Sequence, residues 1–353
     1  MKPDIDPVPA DLILTLLWGN HLDGHKLRTG KTLATLDKAA YLDYFQLQYG
    51  YFTRSHDSNY NDMQIIEYVV NGIKSGVTKE TIFSNLKSWA GSDKLCGEKI
   101  YEDIVHLTAR ALVMCNIGAL DNQANPRQYL EWKSTDNLQG VIRGHFHAEP
   151  QLQERMRLPK TFDAWAIERI GGIFIQFTDN LADHLLLVND DTTLLVFHHV
   201  AFLELQTKES LLPEALVDET FRTLALLFPQ SEFISTRRAT REKRDWFKKL
   251  CQRHLSGHRC QVDDQILRCG TLKADARQIE RFQYWRDRLV VLKQSYDDAT
   301  PATLTQWWFD RRNGPQWYTF WIAITVLIVS TVLGLIQCVQ GALQVYKAYH
   351  PEG

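Results

Sequence analysis

Apolar residues recur every three or four positions through four stretches in the first third of the chain, which is the spacing of one buried helix face. These stretches are Asp37–Tyr49, Met63–Ile73, Glu80–Trp89 and Ile100–Met114. Glycine, serine or asparagine lies at their borders, as expected where helices begin and end. Residues 1–130 are therefore predicted to form an N-terminal helical region.

Short apolar runs replace the helical spacing after a loop-rich stretch that ends near residue 160. Three of them have the composition of strands: Gly172–Thr178, Leu185–Val188 and Thr193–His198. Asn189, Asp190 and Asp191 are typical turn residues and lie between the second and third runs. The pattern predicts a small antiparallel sheet within an α+β region that covers 131–300.

Helical spacing returns at Leu216–Phe228 and Arg241–Leu255. A narrower seam follows between Ala274 and Tyr296, where five apolar residues step by three and four positions: Phe282, Trp285, Leu289, Leu292 and Tyr296. This spacing occurs in coiled-coil stalks that pair with another subunit and in helices that pack on their own domain. Two repeats favour packing on the same domain, and the stalk stays open as an alternative.

The segment Trp317–Ile336 reads WYTFWIAITVLIVSTVLGLI and contains no charged residue. A helix needs about 20 apolar residues to cross roughly 30 Å of hydrocarbon. Pro315 suits the first turn of such a helix because its missing N–H would have no partner there. We expect a juxtamembrane aromatic and basic segment at 301–316, a transmembrane helix at 317–340 and a short tail at 341–353.

Aromatic and basic side chains lie at both ends of this span, as they do at membrane–water interfaces. The predicted interface residues are Trp307, Trp308, Arg311, Arg312, Trp317, Tyr318, Trp321 and Tyr346. More Lys and Arg precede the span than follow it, so the positive-inside rule favours a cytosolic N-terminal domain. The pattern is that of a single-pass, tail-anchored protein in a lipid bilayer.

One face of the predicted span carries small and amide side chains. Ser330 and Gly334 form a small-xxx-small pair, and Gln337, Gln340 and Gln344 follow at helical spacing. This face, together with the pre-membrane helix, predicts a protein partner or self-association. Isolated small and amide residues near a membrane boundary are an equally good interpretation.

The composition excludes several classes of protein. At 353 residues with a formal net charge of -2, the chain can bury a large core and has no global charge that favours nucleic acid. Its six scattered cysteines are typical of reduced thiols. Gly24–Thr32 resembles a phosphate loop, but the spacing between its glycines is one residue too long. We therefore predict no cofactor.

Two clusters are candidates for chemistry. Asp179, Asp183, His184 and His198, with His199 beside them, are candidate catalytic residues because folding at the predicted turn would bring His184 near His198. Such a group could bind a metal or move protons, and hydrogen-bonded histidines at a sheet edge are the commoner interpretation.

The second cluster lies in CQRHLSGHRCQVDDQILRC, where thiolates and imidazoles are close in sequence. Its candidate metal ligands are Cys251, His254, His258 and Cys260. Tetrahedral zinc accepts such ligands, but their spacing matches no familiar finger or ribbon. The first residues of the cluster also fit one edge of an amphipathic helix.

Several stretches resemble a family of filamentous-fungal proteins of unassigned function, in which a cytosolic α-rich domain precedes one C-terminal membrane helix. They are QYGYFTRSHDSNYNDMQIIEYVVNGI, TDNLADHLL, VFHHVAFLELQ, QWWFDRRNGPQWYTFW and GALQVYKAYHP. The resemblance implies membrane anchorage and a fungal source, and it brings no catalytic residues.

A weaker, architectural likeness is to CorA-type divalent-metal channels, in which a long helix enters a C-terminal membrane segment. Those channels have two spanning helices joined by a Gly-Met-Asn loop. This sequence has neither that motif nor a second apolar span, so no residues can be assigned to ion selectivity.

Taken together, the patterns predict an α+β fold: a mostly α-helical soluble domain with a small antiparallel sheet, plus one C-terminal transmembrane helix. The first functional hypothesis is a membrane-surface interaction or scaffolding protein. The second is a membrane-tethered enzyme that uses the Asp/His cluster, and the third is a subunit of an oligomeric channel or transporter.

Overall fold

A computed structural model describes residues 9–19, 27–28, 32, 36–55, 62–89, 98–118, 129–207, 210–234, 240–257, 260–299 and 314–349. Their contacts divide the chain into two units. The first unit, called the body, contains the described residues up to Asp298 except Arg169–Gly172. The second contains Arg169–Gly172 and the described residues that follow Asp298.

Helices make up most of the body, which confirms the predicted fold class. The first six are α1 (Ala10–Trp18), α2 (Ala39–Ser55), α3 (Asp62–Lys74), α4 (Lys79–Trp89), α5 (Glu98–Val113) and α6 (Leu138–His145). The next six are α7 (Ala164–Arg169), α8 (Val200–Leu205), α9 (Glu214–Leu227), α10 (Gln230–Phe233), α11 (Arg241–Gly257) and α12 (Arg286–Asp298).

Helix α5 lies at the centre of the N-terminal part of the body. It packs against α2, α3 and α4, and nearly every side chain from Tyr101 onward is buried. Its one fully buried cation, Arg110, donates to the carbonyl oxygens of Ile117 and Gly118 just after the helix. The guanidinium therefore satisfies backbone groups that would otherwise be buried without partners.

The sheet has three strands: β1 (Phe174–Thr178), β2 (Leu187–Val188) and β3 (Thr193–Phe197), in the order β1-β3-β2. Strands β2 and β3 form the predicted antiparallel hairpin, and Asn189, Asp190 and Asp191 make its turn with φ of 55°, 53° and 59°. Strand β1 pairs with β3 in parallel, so the sheet is mixed and the prediction of a wholly antiparallel sheet is wrong. Strand β3 lies between the other two, so both of its edges are paired, and all five of its residues are buried.

The seam before the second unit is not one continuous helix. Single 3-10 turns at Asp275–Arg277 and Ile279–Arg281 precede α12. The Glu219 carboxylate accepts the backbone N–H groups of Gln283 and Trp285, both at 2.7 Å, which satisfies two backbone donors just before α12. All five apolar residues of the seam are buried, so packing on the same domain is confirmed.

The second unit contains α13 (Gly314–Tyr349), a helix of 36 residues. Its segment Trp317–Tyr346 has 30 residues, and the most apolar 18-residue stretch within it has a mean hydropathy of 2.5 and is 0% buried. Within the described residues this is the one helix long and apolar enough to cross a membrane. The predicted transmembrane helix is confirmed to that extent.

Candidate functional site

Parallel pairing of β1 and β3 brings together two groups that are far apart in sequence. Thr178 pairs with Phe197 at the carboxyl ends of the two strands. The residue after each strand end is therefore delivered to the same edge of the sheet: Asp179 after β1, and His198 and then His199 after β3. The sequence placed Asp179 and His198 in one cluster, but through the hairpin and not through this pairing.

Both histidines donate to one oxygen of Asp179. The distances from Oδ1 are 3.2 Å to His198 Nε2 and 2.7 Å to His199 Nε2. His198 Nδ1 accepts the backbone N–H of Asp263 at 3.3 Å, so the ring proton of the neutral imidazole lies on Nε2. The two rings stack with centroids 4.0 Å apart. His199 Nδ1 is buried and has no hydrogen-bond partner within the described residues.

A third histidine reaches this cluster from α11. One ring nitrogen of His254 and ligand atoms of Asp179 and His198 all lie within 4.8 Å of one another. The His254 ring packs edge-on against His198, with centroids 5.3 Å apart, and against Phe177, at 5.8 Å. The set of Asp179, His198 and His254 is called the Asp–His–His cluster below.

The charges of this cluster follow from burial and hydrogen bonding. Burial opposes ionisation of Asp179, but hydrogen bonds from His198 and His199 outweigh it and hold the pKa of Asp179 well below its usual range. Burial, and to a lesser extent His199, lowers the pKa of His198 to about 4. At neutral pH the cluster therefore contains a carboxylate next to a neutral His198.

A surface cleft of about 310 Å³ lies beside the cluster. It is lined by residues of β1, the start of β3 and α11, among them Phe174, Phe177, Thr193, Leu250, Arg253 and His254. Phe174 is 59% exposed at this cleft, whereas His254 is buried at its wall. His254 therefore contacts both the cleft and the cluster, and the Asp179 side chain retains 21% exposure.

The outer edge of β1 is covered by side chains at Ile175. Glu168 Oε2 accepts the Ile175 N–H at 3.0 Å, and Arg253 Nη2 donates to the Ile175 carbonyl at 2.9 Å. Arg253 and Glu168 are themselves paired at 2.8 Å. This arrangement satisfies strand groups that could otherwise pair with another chain, and it fixes α11, which carries His254, against the sheet.

Asp183 and His184, the other predicted catalytic residues, lie outside the Asp–His–His cluster. His184 Nδ1 accepts the backbone N–H of Phe197 at 3.1 Å, and its Nε2 donates to Thr223 Oγ1 at 2.7 Å. Asp183 ends the 3-10 helix Leu181–Asp183 and is buried. Both nitrogens of His184 are thus used in holding the hairpin to α9, which is a structural role.

The predicted Cys/His ligand set is divided in the structure. Of its members, His254 joins Asp179 and His198, while Cys251 and Cys260 are not in that group. Burial raises the pKa of Cys251 to about 12, and burial followed by the charge of Asp179 raises the pKa of the Cys260 thiol. These thiols are protonated at neutral pH, so neither is an activated nucleophile. His258 lies outside the described residues.

Sequence reasoning missed Asp263, whose side chain supports the cluster. Its Oδ2 accepts the Ala201 N–H at 2.7 Å at the start of α8, and its Oδ1 accepts the Gln265 N–H at 3.0 Å. Its own N–H fixes the His198 ring. An Asp before a short helix is a recognisable cap, but its reach to α8 has no signal in the sequence.

The predicted membrane-interface residues fall in two groups. Trp317, Tyr318 and Trp321 lie in the first turns of the apolar span and Tyr346 at its far end. Tyr318 and Tyr346 are 64% and 63% exposed. Trp307, Trp308, Arg311 and Arg312 lie outside the described residues.

Comparisons of the chain with protein-family models, with curated proteins and with solved structures find no significant match in any of the three.

Proposed function

We propose that this protein is anchored in a membrane by α13 and holds its helical body at the membrane surface, where the body interacts with another protein. The observation that carries the proposal is the exposed apolar span of α13. A helix of 30 residues is about 45 Å long, which matches a hydrocarbon core with its two interfacial layers.

The insertion free energy supports this assignment. Trp317–Ile336 contains eleven Leu, Ile, Phe and Val residues. At about -0.3 to -0.6 kcal/mol each, these contribute about -3 to -7 kcal/mol to insertion. In water the same side chains would be exposed, as Ile322 and Leu327 are at 63% and 66%, and would form an apolar patch far larger than soluble monomers carry.

The flanking charges support a cytosolic orientation of the body, and the small residues support a partner helix in the bilayer. Arg311 and Arg312 on the body side of α13, against Lys347 on the other, favour a cytosolic body by the positive-inside rule. Ser330 and Gly334 would let a second helix approach closely within the bilayer. The resemblance to fungal proteins with one C-terminal membrane helix points the same way.

The test places charge at two depths of α13. Two Arg residues near the bilayer centre cost about 5–7 kcal/mol, which matches or exceeds the gain from the apolar residues, whereas one Arg would not. The double variant Val329→Arg, Val332→Arg is therefore expected to leave the membrane pellet after alkaline carbonate washing of cell fractions. The matched control is Gln340→Arg, Gln344→Arg, which adds the same charge near the far end and should stay in the pellet.

Release of the unaltered chain by the carbonate wash would refute the anchor. Retention of the Val329→Arg, Val332→Arg variant would refute the assignment of this span as the anchor. For the interaction at the membrane surface, the unaltered chain purified in mild detergent should retain a stoichiometric protein partner that the soluble variant loses in the same cells.

A second candidate function is a membrane-tethered enzyme, and the observation that favours it is the Asp–His–His cluster beside a cleft. The discriminating variant is His254→Phe, because His254 lines the cleft and Phe retains an aromatic ring at its place. Loss of a cellular phenotype with partner binding intact favours the enzyme. His184 is unsuitable for this test because its replacement removes hydrogen bonds that hold the hairpin to α9 and so destabilises the body.

A further inference from the structure

We propose that Asp179, His198 and His254 form a binding site for a divalent transition-metal ion. These residues come from three separate elements: the carboxyl end of β1, the carboxyl end of β3, and α11. Among the described residues they are the one set of three His, Cys, Asp or Glu side chains whose ligand atoms converge in this way. The inference does not depend on whether α13 is a membrane anchor.

The three ligand atoms are already almost as close to one another as the ligands of a single metal ion. With metal–ligand bonds of about 2.0–2.2 Å, neighbouring ligands of a tetrahedral ion are about 3.3 Å apart. Asp179 Oδ1 and His198 Nε2 are already 3.2 Å apart. The ligand atom of His254 lies within 4.8 Å of both, so it needs to move inward by no more than about 1.5 Å.

The ligand types select the metal class. Two imidazoles and one carboxylate suit zinc, iron, cobalt, nickel or copper, whereas magnesium and calcium prefer oxygen ligands alone. Three protein ligands leave at least one coordination position of the ion for water or a substrate, as in catalytic zinc sites. Because His254 also lines the cleft, we infer that this position is reached from there.

Neighbouring side chains hold the ligands in position, as groups hydrogen-bonded to the ligands do in other metal sites. His199 Nε2 donates to Asp179 Oδ1 at 2.7 Å and fixes that carboxylate. The Glu168–Arg253 pair holds α11 at the edge of β1 and so fixes the helix that carries His254. Each partner is a side chain that the metal does not displace.

Protons need to be rearranged once when the metal binds. In the metal-free arrangement His198 carries its proton on Nε2, the atom that would bind the metal. Coordination therefore moves the proton to Nδ1, and the 3.3 Å contact from the Asp263 N–H opens.

The experiment uses the full chain in mild detergent. Bound metal is removed with a chelator, Zn²⁺ is titrated in competition with a chromophoric chelator, and the thermal unfolding midpoint is measured with and without Zn²⁺. We expect one Zn²⁺ per chain and a higher midpoint. His254→Phe should weaken Zn²⁺ at least about 100-fold, the upper end of what loss of a supporting partner costs.

Two further variants separate ligation from folding. Cys251→Ser, one helical turn before His254, is the matched control and should bind Zn²⁺ as the unaltered chain does. Asp179→Asn removes the charged ligand and should lose Zn²⁺ as His254→Phe does. Circular dichroism of all metal-free variants should match the unaltered chain, so that loss of binding cannot be assigned to unfolding.

Co²⁺ provides a spectroscopic readout of the ligands. Nitrogen and oxygen ligands give visible d–d bands without the intense near-ultraviolet charge transfer of a thiolate, and those bands should disappear in His254→Phe. Three outcomes overturn the proposal: no stoichiometric metal on the unaltered chain, equal affinity in His254→Phe, or a thiolate band that is lost in Cys260→Ser.

Discussion

Replacing His184 with Asn tests whether this residue is structural and neutral. His184 is fully buried between the backbone of Phe197 and Thr223, and its ring contacts Trp285 with centroids 4.9 Å apart. Burial, with a smaller contribution from Arg288, lowers its pKa from 6.5 to about 3. Protonation would place an N–H at Nδ1 against the N–H of Phe197, so the folded state resists it.

The sign of the pH dependence follows from this depressed pKa. Between the unfolded pKa of 6.5 and the folded pKa of about 3, the unfolded state binds a proton at His184 that the folded state does not. The contribution of His184 to stability is therefore full above 6.5 and is lost progressively as the pH falls towards 3. At about 1.36 kcal/mol per unit, the loss between about pH 7 and pH 5 is about 2 kcal/mol.

In His184→Asn the free energy of unfolding should therefore decline about 2 kcal/mol less over that interval than in the unaltered chain. At about pH 7 the variant should be less stable by about 2–4 kcal/mol. The shorter Asn side chain can still accept the Phe197 N–H, but it loses the hydrogen bond to Thr223 and leaves a cavity. Guanidinium unfolding in detergent, followed by circular dichroism at several pH values, measures both quantities.

The exposed His147 provides the matched substitution, His147→Asn, which sets the baseline for removing an imidazole from the surface. Burial also lowers the pKa values of His106 and His198 to about 4, so these two residues reduce the free energy of unfolding of every variant equally as the pH falls. If His184→Asn loses stability with pH as steeply as the unaltered chain, His184 is protonated in the folded state and the structural assignment is refuted.

Three further substitutions test the packing, each by its thermal unfolding midpoint. Arg110→Lys should cost about 2–4 kcal/mol, since Lys cannot reach two buried carbonyls with a planar fork. Gly118→Ala should cost at least about 2 kcal/mol, because φ is +60° and a Cβ would lie 2.3 Å from the His106 ring. Arg253→Ala removes a side chain that is 46% exposed and should cost only about 1 kcal/mol. A larger loss in Arg253→Ala than in Arg110→Lys would contradict the dependence on burial.

The helices were predictable from sequence where they pack by one local face. Helices α2 to α5, α9 and α11 begin and end within a few residues of their predicted limits, apart from the end of α2, because apolar spacing and border residues lie within each segment. The start of α12 was not predicted. Its start is positioned by Glu219, which lies more than 60 residues away and accepts the backbone N–H groups of Gln283 and Trp285 just before the helix.

The apolar span of α13 was also predictable, because insertion in a bilayer depends on the composition of one continuous segment. The fungal resemblance, the likeness to CorA-type channels and the oligomeric pore stay predictions. Cross-linking in native membranes would bear on the pore, since one helix per chain lines a channel only when several chains assemble.

The Asp–His–His cluster was only partly predictable, because its members meet through long-range pairing. The hairpin correctly brought His184 to the end of β3, but there both of its nitrogens are used in packing. His254 was grouped with cysteines that are its neighbours in sequence, whereas in the fold it faces Phe177 and His198. Closeness in sequence thus identified His254 as a candidate ligand but grouped it with cysteines instead of with Asp179 and His198.

The position of the cluster is consistent with how open sheets with parallel strands build sites. Side chains that follow the carboxyl ends of neighbouring parallel strands meet outside the sheet, where strand hydrogen bonding has ended and polar groups are free to converge on a ligand. Asp179 and His198 each directly follow such an end. In a wholly antiparallel sheet, adjacent strands would place these two residues at opposite edges. The single parallel pair in this small sheet is therefore the structural feature on which the cluster depends.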